Sequence, residues 1–391
     1  MPIQAAFFFG AGISRPSGMP LVDDLTDAIF NKKWHLTTAQ TFEPGPEPNP
    51  AYVDNVTEAV KAFLRVVSNC ASDYIDELNH GDRKPHYEDL FSLAEQASRS
   101  ELDHIPNLAV VEFVRRLRRE SMFLHAGFRG GTNGGQGFIA LAETACDYIH
   151  WVVHHSLTGS VVKRSGLGSI SQVARAVDRL DIFSLNHDLL IEDQLRSDGI
   201  SEVEKGFDDR TRGQCSVFSG WPAERKRVRL FKLHGSLDWY FYEFPGWARQ
   251  YAIPDGEPFH CHDQKGQLLT PIDRKAAFLS GTIVKEQRYG FGFWGELISN
   301  FVSHLTRHTH LICCGYSFGD PGINQRIAQW MSNLPGKNKL VILTPEHECR
   351  FFEGKPAWMH RFKSEGRVVL VPKYFEQCDL SDLQPYFDES P

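Results

Sequence analysis

The apolar positions along the chain change period twice. Ile3 to Phe9 is a continuous β-rich run that ends in Gly10-Ala11-Gly12, and Asp23 to Phe30 follows with apolar residues at helical spacing. A short unbroken apolar run fits a strand covered on both faces, so the chain opens as strand, glycine loop, helix, the way a dinucleotide fold starts. Thr41 to Pro50 is dense in Pro, Gly and Glu and predicts a loop and a boundary. From Val53 to about Asp178 the period is helical. Val56, Val60, Phe63, Leu64 and Val67 recur three and four apart, as do Leu90, Leu93 and Ala94, then Val110, Phe113, Val114 and Leu117. Gly127 to Gly137 interrupts that pattern with six glycines, too permissive for an element interior, and predicts a mobile loop.

The strand pattern then returns at Asp181 to Leu185, Val228 to Leu233, His310 to Cys314, Lys339 to Leu343 and Arg367 to Val371. These runs are too apolar for a sheet with one wet face, and helical patterns at Leu189 to Leu195 and Ile323 to Met331 alternate with them. The expected fold class is therefore α/β: a Rossmann-like, doubly wound parallel sheet formed by 1–40 and 179–391, with a large helical insertion domain over 41–178. Trp239 to Arg288, rich in aromatics and Pro, reads as excursions whose strands the pattern does not place.

Composition narrows the function classes. With 41% hydrophobic and 23% charged residues in 391, the chain is an ordinary globular one, and a net charge of -7 argues against an obligate nucleic-acid binder. The short basic runs Arg115-Arg116-Leu117-Arg118-Arg119 and Arg225-Lys226-Arg227 read as solvated faces. Eight cysteines occur without a Cys-x-x-Cys, and Cys313-Cys314 sit inside an apolar strand, so they read as reduced core residues and no metal site is expected. No run approaches 18 apolar residues and the N-terminus has no basic leader region, which predicts a cytoplasmic protein with no membrane partner.

Candidate chemistry sits where apolar runs end. Gly10 and Gly12 let a backbone approach a pyrophosphate at a helix N-terminus, and Ser14 adds a hydroxyl; a tight turn with no ligand uses the same residues, since no full Gly-x-Gly-x-x-Gly is present. Asn186 and Asp188 close the strand Ile182 to Leu185, where they either project into a crevice or cap the next helix. His234 follows Val228 to Leu233 and precedes Gly235-Ser236, a strand end where an imidazole can exchange a proton near neutral pH. Gly315, Ser317, Asp320 and Asn324 follow His310 to Cys314; taken alone, Ser317 or Asp320 is a helix cap.

Together these segments resemble the NAD-binding core of the sirtuin (silent information regulator) family. Gly10, Ala11, Gly12, Ile13, Ser14, Ser17, Gly18 and Pro20 match its Gly-Ala-Gly-Ile-Ser-x-x-Ser-Gly-x-Pro motif. Ser184-Leu185-Asn186-His187-Asp188 is similar to its Thr-x-Asn-x-Asp segment, Leu233-His234-Gly235-Ser236 to its catalytic His-Gly pair, and Gly315-Tyr316-Ser317 to its Gly-x-Ser turn. The resemblance implies NAD+ as substrate and no metal. Asn186 and His234 would be catalytic, while Gly10, Ala11, Gly12, Ser14, Asp188, Gly315, Ser317 and Asn324 would bind the dinucleotide.

Two departures refine it. Deacylating members continue the first motif with Asp-Phe-Arg where this chain has Leu21-Val22-Asp23, and they carry a four-cysteine zinc module that is absent here. The extended segment Gly-Tyr-Ser-Phe-x-Asp-x-x-Ile-Asn, Gly315 to Asn324, resembles instead the bacterial anti-phage branch, whose members cleave NAD+ to nicotinamide and ADP-ribose. That branch implies a homo-oligomer working with a separately encoded HerA-type hexameric ATPase. An NAD-dependent deacylase or ADP-ribosyltransferase, and a non-catalytic NAD or ADP-ribose sensor, remain the alternatives.

Overall fold

The computed structural model describes residues 2–46, 55–77, 83–99, 110–129, 132, 134–159, 166–208, 214–221, 226–244, 248–263, 265–333 and 337–389. The chain divides into two compact units, Met1–Met19 with Val161–Leu279 and Glu286–Pro391, and Pro20–Ser160 with Ser280–Lys285.

The first unit is built on the parallel sheet expected from the apolar runs. β1 is Ile3–Phe9; to keep chain-order numbering, β2 (Trp34–Leu36) and β3 (Phe42–Pro44) are strands of the second unit. β4 (Arg179–Ser184), β5 (Val203–Glu204), β6 (Ser216–Val217), β7 (Val228–Lys232), β8 (Tyr240–Phe244), β9 (Ala248–Ile253) and β10 (Thr270–Pro271) follow. The last four are β11 (His310–Cys314), β12 (Lys339–Leu343), β13 (Val368–Val371) and β14 (Asp388–Glu389).

The main sheet runs β13-β12-β11-β1-β4-β7-β5, with the two-residue β14 pairing antiparallel to β1 and every other pair parallel. Strand side chains alternate between faces. Phe8 turns with Phe183, Phe231, Leu311 and Cys313 into one large apolar cluster, while Phe7 and Phe9 pack edge-on against Phe375. The sheet is thus covered on both sides, which explains its unbroken apolar strands. Strand order reverses between β1 and β11, where an open α/β sheet forms its ligand crevice. Phe9 is level with Cys314 and with Ser184, and Ser184 with Lys232, so the four loops singled out by sequence leave one row of the sheet.

Two expectations change here. The helix expected over Asp23 to Phe30 forms, but a 3-10 turn stands between it and the first strand. Ala11–Ser17 makes this turn, containing Pro16 and closed by Gly18 at φ +87°, and the helix, α1 (Val22–Asn31), is counted with the second unit. Pro16 lacks an amide to extend the turn, and Gly18 reverses the chain. The cysteines are not all reduced either: Cys215 and Cys261 form a disulfide. They meet because Gln214 bridges His262 beside a second, antiparallel sheet of order β10-β8-β9-β6, a non-local pairing that fills the Trp239 to Arg288 stretch. Burial raises the Cys313 thiol well above its usual range and Cys314 to about 12, so both behave as core residues.

The second unit is mostly helical: α1, α2 (Asn55–Glu77), α3 (Tyr87–Arg99), α4 (Val111–Glu120), α5 (Met122–His125) and α6 (Gly137–Thr158), plus the β2–β3 hairpin. α6 is apolar around most of its circumference and forms the centre, with Tyr148 donating to the Ile29 carbonyl at 2.7 Å. In the Gly127 to Gly137 loop, residues 130, 131 and 133 lie outside the described ones. Its ends are closed by an Arg129–Gln136 bridge and a bond from the Gly137 amide to the Phe128 carbonyl. The remaining helices are α7 (Gly168–Ala176), α8 (Leu190–Ser197), α9 (Ile283–Arg288), α10 (Gly292–Leu305), α11 (Pro321–Asn333), α12 (Glu348–Phe352), α13 (Ala357–Ser364) and α14 (Leu380–Leu383). α9 carries the chain from the second unit back to the first.

Candidate functional site

The glycines of the first and last motifs interlock. The Gly10 amide donates to the Cys314 carbonyl at 3.0 Å and the Gly12 amide to the Gly315 carbonyl at 2.9 Å. A Cβ on Gly10 would stand 2.6 Å from the Gly315 carbonyl oxygen, and one on Gly315, which sits at φ +65°, only 2.3 Å from the Ile13 nitrogen. These glycines are required by the approach of two backbones at the switch point. Ala11 and Gly12 remain on the exposed side of that contact.

Behind the loops lies a directed chain of buried polar groups. Ser14 Oγ donates to Asp188 Oδ2 at 2.9 Å, and Asn186 Nδ2 donates to Ser14 Oγ at 2.9 Å. An ionised carboxylate only accepts, so Asp188 takes the one hydroxyl proton of Ser14, and Ser14 must then accept from the amide of Asn186. This fixes the rotation of the Asn186 amide and leaves its Oδ1, in a side chain 6% exposed, as a buried acceptor with no hydrogen-bond partner. A buried unpaired carbonyl is expensive unless something donates to it. Asp188 Oδ1 meanwhile accepts from the Leu190 amide at 3.1 Å at the start of α8, the local role expected of an aspartate there, while Oδ2 takes the Ser14 hydroxyl.

Lys232, at the end of β7, underpins this turn. Its ammonium donates to the carbonyls of His187, at 3.2 Å, and Asp188, and lies 3.5 Å from the carboxylate of Glu192. Burial raises the pKa of Glu192 against the opposing pull of Lys232.

His234 sits in a turn where Gly235, at φ +85°, comes so close to the Ala277 carbonyl that a Cβ would be 2.2 Å away. The His234 carbonyl accepts from the Leu279 amide at 2.8 Å. Its imidazole is 4% exposed and meets two side chains. Nε2 is 2.5 Å from the hydroxyl of Tyr289 and 3.2 Å from Asp320 Oδ2, and the Tyr289 hydroxyl donates to that same Asp320 oxygen at 2.6 Å. Asp320 Oδ1 caps α11 through the Ile323 amide at 3.0 Å. Sequence reading missed Tyr289. Its one local signal is the glycine-aromatic run Tyr289-Gly290-Phe291-Gly292-Phe293-Trp294-Gly295, which carries no known chemistry.

Other candidates divide. Ser317 is exposed, and its carbonyl accepts from Lys355 at 3.1 Å. Asn324 has both ends of its amide engaged inside the loop, Nδ2 on the Phe318 carbonyl at 2.8 Å and Oδ1 on the Tyr316 hydroxyl at 2.9 Å, so it shapes the loop. That bond helps hold Phe318 at φ +62°, a left-handed conformation costly for a bulky residue. Among the described residues, no group of three or more His, Cys, Asp or Glu side chains is placed to hold a metal ion. Nor is any helix there long and apolar enough to cross a membrane.

Residues 181–360 match the family model described as a SIR2-like domain, a span that includes Asn186, His234, Tyr289 and Asp320. No curated protein matches the chain. Two solved structures are similar at low level. One is SIR2 in complex with the inhibitor EX-527, 2'-O-acetyl-ADP-ribose and a deacetylated p53 peptide. It is 10% identical over 98% of this chain and 93% of its own, with a TM-score of 0.33. The other, described as the structural basis of sirtuin substrate affinity, is 13% identical over 98% and 91%, also with a TM-score of 0.33.

Proposed function

We propose that the chain is an NAD+ glycohydrolase whose reacting centre lies between Asn186 and His234. The observation that carries this reading is the buried, unpartnered Oδ1 of Asn186, held in one orientation by Ser14 and Asp188 just past the end of β4. An isolated acceptor there suits a water or a ribose hydroxyl, each of which brings a proton to donate. Support also comes from the SIR2-like match over residues 181–360 and from glycine loops that leave no room for a side chain.

Cleavage of the glycosidic bond of NAD+ develops oxocarbenium character on the ribose and returns the bonding electron pair to the pyridinium nitrogen. Nicotinamide leaves neutral, so no strong acid is required. Asn186 would orient the attacking water through Oδ1, and that water forms the new bond to C1'. His234 would accept its proton, and ADP-ribose results. The departure at Leu21-Val22-Asp23 supports hydrolysis over deacylation. The segment Gly315 to Asn324 supports a role in anti-phage defence by NAD+ depletion, as a homo-oligomer with a HerA-type ATPase.

Chromatography of nicotinamide and ADP-ribose formed by wild type, Asn186→Ala and His234→Ala tests this, with the chain alone and with a candidate ATPase and DNA. Expected is cleavage by wild type and a loss of about 10²- to 10⁴-fold in either variant with folding intact. Wild type that binds NAD+ but never turns it over would instead make the chain a binding module.

A further inference from the structure

Tyr289 is a group in the site that no motif foretold, and its hydrogen bonds have a direction. Asp320 Oδ2 only accepts, so the single proton of the Tyr289 hydroxyl lies toward it over 2.6 Å. The phenol oxygen then accepts at 2.5 Å from Nε2–H of His234. The rings of His234 and Tyr289 lie nearly parallel, 20° apart with centroids at 6.0 Å, so the phenol also limits the tilt of the imidazole. Asp320 is fixed in turn by its cap on α11 and by the Tyr316 hydroxyl, which receives the Asp320 amide at 3.3 Å.

We propose that Tyr289 is a positioning residue: its hydroxyl, bonded to both His234 Nε2 and Asp320 Oδ2, orients the imidazole through Nε2–H and, by donating to that carboxylate oxygen, competes with the imidazole for it, although Nε2 already lies 3.2 Å from the same oxygen. The proposal rests on the reading of His234 as the proton acceptor. A carboxylate in direct contact with an imidazole stabilises its protonated form, and a protonated histidine cannot serve as base. A neutral phenol that donates to the same carboxylate oxygen fixes the ring and weakens that pull. Titratable groups against His234 include Tyr289, Asp320 and His187, whose ring centroid is 6.3 Å away; Lys232 lies in the adjoining strand end.

Tyr289→Phe keeps the ring and removes the hydroxyl. Asp320→Asn keeps the helix cap and removes the charge. The tests are the pH profile of kcat/KM for NAD+ cleavage and, independently of turnover, the titration of His234 followed by NMR, with its signal assigned by comparison with His234→Gln. Tyr289→Phe is expected to move both the acid limb and the His234 titration to higher pH by about one unit, and Asp320→Asn to move them lower. An unchanged His234 titration in Tyr289→Phe overturns the proposal. A wild type without turnover overturns the glycohydrolase reading alone, since the titration still decides what Tyr289 does.

Discussion

The two ends of the parallel sheet both bury polar networks, on the same strands, and the networks differ in kind. At the starting edge, Asp181 of β4 receives both Arg229 Nε and a terminal nitrogen of β7's Arg229 at 2.6 Å, and lies 2.9 Å from His308 Nε2. Asp388 of β14 takes the Thr309 amide at 2.9 Å, the Thr309 hydroxyl at 2.5 Å and His310 Nδ1 at 2.7 Å. His308 stands between the two aspartates, its Nδ1 3.4 Å from Asp388. In this network each charged group faces an opposite one, and the contact of His308 Nδ1 with Asp388 closes it as an ion pair without a hydrogen bond. Just past the other end of β4, the chain Asp188–Ser14–Asn186 ends in an acceptor with no partner. A network that closes tends to stabilise a fold, whereas one that stops short presents a group to a ligand.

Substitutions at the two ends should therefore separate stability from activity. The largest effect is expected at Asp181→Ala, which leaves the Arg229 guanidinium buried, 2% exposed, without its carboxylate. Removing one partner of a buried pair costs about 3–5 kcal/mol. Urea unfolding should show that loss, while turnover per folded molecule stays near wild type. Equal losses of turnover and stability would show that the edges are not independent.

Gly315→Ala tests where the contrast breaks down, because that glycine belongs to the site and to the fold at once. Its φ of +65° and the 2.3 Å approach to the Ile13 nitrogen predict about 3 kcal/mol of destabilisation together with lost NAD+ cleavage. Ser14→Ala is milder. One hydrogen-bonding hydroxyl is worth about 1 kcal/mol of stability, yet its removal frees the Asn186 amide to rotate, so kcat should fall about tenfold with KM nearly constant. An unchanged kcat would mean that Ser14 does not set the Asn186 rotamer.

This division also explains what could be read before the structure. β1, β4, β7, β11 and β12 are covered on both faces and the edge strand β13 is partly so, hence each is written as a local apolar run, and Asn186 and His234 stand directly after two of those runs. The closed network is written nowhere locally. β14 is two residues long, and Asp388 is joined to Thr309 from 79 positions away. The Cys215–Cys261 link spans 46 positions, and its antiparallel sheet has no pattern distinct from a loop rich in aromatics. Tyr289 escaped for the same reason: its meaning comes from His234, 55 positions earlier, and Asp320, 31 later. The helix expected over Asp23 to Phe30 is α1, and only the 3-10 turn between it and β1 went unread, because Pro16 is as compatible with a 3-10 turn as with the start of an α-helix.

The smallest expected effect is a pH dependence confined to the closed network. Burial lowers the pKa of His308, but its contacts with Asp181 and Asp388 outweigh burial and hold it above the ordinary histidine value. For Asp181 and Asp388 burial pulls upward, and the His308 contacts, with Arg229 at Asp181 and with His310 and Thr309 at Asp388, bring both below the usual carboxylate range. His304, 3.9 Å from Asp181, is kept neutral by burial and by Arg229, at about 4. A histidine whose pKa is raised by folding contributes stability in full below about pH 6.5 and loses it as pH climbs through the folded value. The aspartates contribute above about pH 4 and lose their share as pH falls. The clamp on β14 should thus be tightest between these limits and loosen on the alkaline side. Hydrogen exchange at the Thr309 amide, corrected for the intrinsic pH dependence, should quicken above neutrality in wild type. His308→Gln should show faster exchange at pH 6 and no further alkaline step. An alkaline step that survives in His308→Gln would assign the proton to another group and leave the contrast between the two edges resting on their geometry.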